Sequence, residues 1–128
     1  MDKLTTLKTI FAVSATFIFG GWDALITALL VLIVIDYITG VLAAGIQGEL
    51  SSSVGLKGIA KKVFILLLVA LAVQVDSVYP TGGRIRDVVI YFFLANEALS
   101  ILENAGKAGL PIPDKLTKAI KALSQKEA

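Results

Sequence analysis

The chain reads as an all-α integral membrane protein, with about four transmembrane helices followed by a short C-terminal basic amphipathic helix. Three observations carry this reading. Hydrophobic residues make up 56% of the 128 residues, charged residues only 17%, and the mean hydropathy is +0.84; soluble domains hold about 25% charge. The apolar residues are gathered into four blocks, 7–22, 24–46, 59–79 and 86–103, and a hydrocarbon core about 30 Å thick takes about 20 helical residues to cross. Runs such as LLVLIVI and FILLLVALAV show no alternation, and a lone strand in lipid would leave its backbone unsatisfied.

Taken in order, the first block is short for a span and follows Lys3 and Lys8. A lysine-bearing start and a brief apolar stretch also describe a cleavable leader, so spanning, cleavage and an interfacial position are all open for it. Gly20, Gly21, Trp22 and Asp23 form a turn with an interfacial tryptophan, which predicts an antiparallel hairpin of the first two helices. The second and third blocks are long enough to cross unaided. Between them lies QGELSSSVGLKGIAKK, polar and closed by a lysine pair. DSVYPTGGRIRD, residues 76–87, reads as an interfacial turn that places Tyr79 in an aromatic belt. The fourth block is marginal in length. A transmembrane domain is thus expected over 1–106 and a basic tail over 107–128. In the tail, Gly106 to Pro113 break the chain, Asp114 can cap a helix, and Leu116, Ile120 and Leu123 share a face opposite Lys115, Lys118 and Lys121. Such a helix suits an anionic membrane surface, as do Lys57, Lys61 and Lys62.

With four spans, ten lysines fall on one side and only Arg84 and Arg86 on the other. Because cytoplasmic segments carry the excess of Lys and Arg, both termini are expected in the cytoplasm of a multi-pass protein. The absence of cysteine and histidine removes thiolate sites, the commonest metal ligand and the commonest general base. Ser51–Ser53 have no histidine partner and GLKG is no phosphate loop, so neither an enzyme, a metal site nor a cofactor is expected. A net charge of +2 does not suggest nucleic acid.

Polar residues inside the apolar blocks are the candidate site. Asp36 lies near the middle of the second block, and Asn96 and Glu97 near the middle of the fourth. A carboxylate at bilayer depth costs at least about 2.5 kcal/mol on insertion scales, so such acids usually mark function. No Lys or Arg lies between Ala24 and Ile46 or between Val88 and Asn104; each acid is therefore expected to be protonated and hydrogen-bonded, or to touch water. Thr39 and Gly40 follow Asp36 at i+3 and i+4, and Gly40, Ala44 and Gly48 continue the row, while Thr16 and Gly20 repeat the pattern in the first block. Small residues at this spacing let helices approach closely. Asp36, Thr39, Asn96, Glu97 and Ser100 are the candidates for lining a pore or an inter-helix polar face, hidden either inside one molecule or between copies. A small ion-coupled transporter or channel subunit using Asp36 and Glu97 is the competing reading, weakened by the lack of an inverted repeat.

Taken together, DYITGVLAA (36–44), SSSVGLKGIAKK (51–62), VFILLLVALAVQVD (63–76) and NEALSILENAGKAGLPIP (96–113), closed by the basic helix, resemble the bacteriophage holin family, in the branch that includes clostridial toxin-release holin-like proteins. The resemblance covers about residues 24–123. It implies a protein that accumulates in the host bacterial cytoplasmic membrane, forms homo-oligomers, and opens lesions through which an endolysin, or a toxin, leaves the cell. The endolysin would be a functional partner by passage, and the bilayer a physical one.

Overall fold

The computed structural model describes residues 2–127, with side chains described as far as residue 123, so Met1 of the leader-like segment and the side chain of Lys126 in the basic tail lie outside the description. The architecture is all-helical: α1 Lys3–Phe19, α2 Ala24–Gln47, α3 Ser52–Val78, α4 Arg84–Lys107 and α5 Asp114–Glu127. Of these, α2 and α3 are long and apolar enough to cross a membrane.

The helix limits follow from local chemistry. Asp2, Asp23 and Ser51 cap α1, α2 and α3 by accepting from the backbone N–H groups of Thr5, Ile26 and Val54. Gly20 and Gly48 end α1 and α2 at φ of 75° and 71°, where a Cβ would be strained. α3 starts at Ser52, seven residues ahead of its expected apolar block at 59. That shift moves Lys62 from the first turn of the expected block to about 15 Å beyond the first residue of the helix. At the other end, Pro113 precedes α5 and Asp114 falls in its first turn, where a negative charge suits the helix dipole.

α4 is the centre of the molecule, packing against α2, α3 and α5, while α2 and α3 meet only slightly. The contacts recur every three or four residues. On α2 the inward row is Ile26, Leu29, Ile33, Asp36, Gly40 and Ala43; on α3 it is Gly58, Lys62, Ile65, Val69, Ala72 and Asp76; on α4 it is Arg86, Ile90, Phe93, Glu97, Ser100 and Asn104. This 3.5-residue period is the seam of a left-handed coiled coil. Its middle is apolar, a cluster of Ile26, Leu29, Ile33, Ile65, Val69 and Ile90. Polar residues occupy its two ends.

The outside is greasy instead. Large apolar side chains such as Phe17, Val34, Leu42, Phe64, Leu67 and Phe92 stand exposed along the helices, which in water would be an aggregating surface and in hydrocarbon is the ordinary one. α1 is the least embedded of the first four helices. Only its Ala15 is buried, and it packs on α3, with Gln74 donating to the Phe17 carbonyl at 3.2 Å. The expected α1–α2 turn is present, but α1 packs on α3 and does not pair along α2, and the Arg86 side chain lies against the turn at Gly20. Trp22, exposed over half its surface, meets the Phe11 ring edge-on at 5.4 Å.

A charged layer and an arginine latch

One polar end of the seam is built around Lys62. Its ammonium reaches α2 and α4 together, bonding Asp36 Oδ2 and, at 2.7 Å, Glu97 Oε2. Asp36 and Glu97 are 5% and 3% exposed, so both carboxylates are almost entirely covered, while the Lys62 side chain keeps some exposure. Asn104, one heptad beyond Glu97, completes the layer: its Nδ2 donates to Asp36 Oδ1 at 2.8 Å, to the Asp36 carbonyl at 3.1 Å and to Thr39 Oγ1 at 2.9 Å. Thr39 passes its own proton to the Ile35 carbonyl at 2.8 Å. Among the described residues, no buried side-chain nitrogen or oxygen lacks a partner.

This corrects the expectation that the acids have no cation. The missing charge comes from the neighbouring helix, and Lys62, expected at the membrane surface beside Lys57 and Lys61, is turned inward. A shared ammonium offsets part of the desolvation cost that either carboxylate would meet alone. Fully ionised, two carboxylates around one ammonium still carry a net negative charge.

The other candidates separate. Ser100 is half-buried and lines the same cavity as Asp36 and Asn104, whereas Asn96 lies on the exposed face of α4. Gly40 sits where an added Cβ would stand 3.5 Å from the Asn104 amide, and Gly20 where it would meet Arg86 at 3.1 Å; Gly48 faces open space and serves as a left-handed cap. Ala44 is half-buried, one position off the seam, and Thr16 is exposed, its hydroxyl returned to the Ala12 carbonyl at 2.8 Å. Lys57 and Lys61 are exposed on α3, and Lys115, Lys118 and Lys121 on α5.

The opposite end of the seam holds a second polar group, built on Arg86, which by sequence alone is only one of two charges expected outside. Arg86, 6% exposed, grips Asp23 through both terminal nitrogens at 2.9 and 3.0 Å, donates Nε to the Phe19 carbonyl at 2.6 Å, and reaches Asp87 at 3.0 Å. The guanidinium thereby ties the end of α1 and the start of α2 to α4. This bidentate geometry is specific to arginine. Hydrogen bonding from Arg86 holds the Asp23 carboxyl below its ordinary value of 3.8. Asp76 closes the junction from α3. Gly83 has no side chain to cap α4, and Asp76 instead accepts from the backbone N–H groups of Ile85 at 3.1 Å and Arg86 at 2.8 Å, and from the Thr81 hydroxyl.

Apolar outer faces, a polar-ended helical seam and two helices of spanning length define a small helical membrane protein. Comparison with known proteins places it further: the chain belongs to the bacteriophage holin family, whose model matches residues 13–125. Similar proteins include an uncharacterized protein of Listeria monocytogenes, 51% identical over 81% of this chain and 74% of its own length. An uncharacterized protein of Halalkalibacterium halodurans is 43% identical over 93% and 92%. A Clostridium perfringens relative, an uncharacterized 14.9 kDa protein in the nagH 3' region, is 42% identical over 97% and 92%. No solved structure matches the chain.

Proposed function

We propose that this protein is a holin: it gathers as a homo-oligomer in the bacterial cytoplasmic membrane and opens lesions that pass an endolysin, or a toxin, without enzymatic chemistry of its own. The family match over residues 13–125 carries the reading. The charged layer supports it. An ammonium and two carboxylates held inside one subunit form a store of polar groups that is stable while covered, and that gains hydration if the helices part. In the open state Asp36, Thr39, Glu97 and Ser100 would line water, and Asn96, already on the outer face, would meet a neighbouring subunit.

Induced expression in bacteria that carry a large cytoplasmic reporter enzyme tests this. The wild type releases the reporter abruptly after a delay, and Asp36→Leu or Glu97→Leu changes the time of release by more than the scatter between cultures. Membrane-inserted protein that never releases the reporter overturns the proposal; if only small cations then leak, the two acids belong to a transporter or channel subunit instead.

A further inference from the structure

We propose that the cavity between α2, the first half of α3 and the end of α4 is a binding site for one anionic phospholipid, with its phosphate between Lys57, Lys61 and Lys107. The cavity measures about 1020 Å³ and runs from the Asp36–Lys62 layer to the α2–α3 turn. That is at the upper end of the range of about 300–1,000 Å³ typical of small-molecule sites. Its walls are mostly apolar, formed by residues such as Val41, Ala44, Val54, Leu56 and Ile59, and it is open to the surroundings.

The distribution of charge selects the ligand. Lys57 and Lys61 stand one helical turn apart on α3, and Lys107 joins them from the end of α4. Against these three cations the lining holds two carboxylates, and Asp36 is already bonded to Lys62 and Asn104, so Glu49 is the remaining counter-charge. α3 begins at the same place with no acid in its first turn, which adds the positive end of a helix dipole. A free anion would satisfy the lysines and leave the apolar wall uncovered. A zwitterionic lipid would cover the wall and bring no net charge. An anionic diacyl lipid satisfies both, with its headgroup among the lysines and its chains along α2 and α3. The chain's own basic helix is not the occupant, since no described α5 residue lines the cavity. The site needs a membrane but does not depend on lysis.

Purified full-length protein in a neutral detergent is titrated, by native mass spectrometry, with phosphatidylglycerol, with phosphatidylcholine of the same acyl chains, and with inorganic phosphate. One phosphatidylglycerol is expected to bind preferentially, uncompeted by phosphate. Replacing Lys57, Lys61 and Lys107 by Gln weakens it about fivefold per lysine. The same change at Lys115, Lys118 and Lys121 leaves that first binding step unaltered, and unchanged helix content by circular dichroism verifies that both variants fold. Equal binding of phosphatidylcholine, displacement by inorganic phosphate, or loss through the α5 lysines alone each overturns the proposal. Reporter release by the Lys57, Lys61 and Lys107 variant is scored separately, so a holin without this lipid site and a lipid site without lysis give different results.

Discussion

Lys62 holds the highest stakes of any single side chain. Removing one partner from a buried ion group leaves the others as uncompensated charge, at a cost of about 3–5 kcal/mol, while replacing the whole group by neutral or apolar side chains is often close to neutral. Lys62→Met should therefore destabilise the protein by about that amount, whereas the combined Asp36→Asn, Lys62→Met and Glu97→Gln variant should stay close to the wild type. Thermal unfolding in detergent, followed by the fluorescence of Trp22, measures both. A Lys62→Met protein as stable as the wild type would mean that the acids do not depend on that ammonium. Asp36 and Glu97 were legible in the sequence because acids inside apolar runs stand out. Their partner was not, for lysine pairs are ordinarily read as the end of a polar linker, and only the start of α3 at Ser52 shows that Lys62 lies well within a helix.

Among the elements, the helices pack with a period of about 3.5 residues. In sequence the small residues after Asp36 form a row of fours, 36, 40, 44 and 48, yet a step of four residues drifts about 40° around a helix. The packed row is 36, 40 and 43, so Ala43 is buried and Gly48 is exposed. Rows on α3 and α4 with the same 3.5 period were equally present in the sequence, and reading them would have aligned Lys62, Glu97 and Asn104 as inward positions. No periodicity could have exposed the Arg86 latch, since it joins the ends of elements that meet only after folding. Its pH dependence follows from Asp23. Because Arg86 depresses the folded carboxyl below 3.8, the latch contributes its full stability above the ordinary carboxyl range and loses it as pH falls through the lowered value. The effect is modest, as half of the Asp23 side chain is in contact with solvent. Between about pH 6 and about pH 3 the melting temperature of the wild type should fall further than that of Asp23→Asn, which lacks the charge throughout. Parallel decline of the two would show that Asp23 and Arg86 do not couple the α1–α2 corner to α4.

For the molecule as a whole, the question is whether a helix as polar as α4 can enter a membrane. It carries Arg84, Arg86, Asp87, Glu97, Glu103 and Lys107, and is not apolar enough to rank with α2 and α3 as a span. Yet two of those charges, Arg86 and Glu97, are buried and paired with α1, α2 and α3, while Val88, Tyr91 and Phe92 face outward. α4 is therefore compatible with lipid only alongside its neighbours, and its insertion is coupled to packing. α1 presents the opposite problem: it is apolar, but its 17 residues reach only about 26 Å, short of a core about 30 Å thick, so a crossing by α1 would require a thinned bilayer or flanking residues drawn inward. If both cross, the alternation of helices puts Thr6, Ser52 and Ala119 on the lysine-rich side and Trp22 and Pro80 on the other. The chain has no cysteine, so a single cysteine introduced at each of these positions can be labelled in intact cells with a thiol reagent that does not cross membranes. Four spans with cytoplasmic termini predict labelling at Trp22→Cys and Pro80→Cys, and none at Thr6→Cys, Ser52→Cys or Ala119→Cys until the cells are opened. Labelling at Ser52→Cys without Trp22→Cys or Pro80→Cys would show that α1 stays on the inner surface, because α2 then crosses outward and α3 returns. Labelling at Ala119→Cys would mean that α4 does not return across the bilayer, and the packing of α4 between α2 and α3 would then have to form by another route.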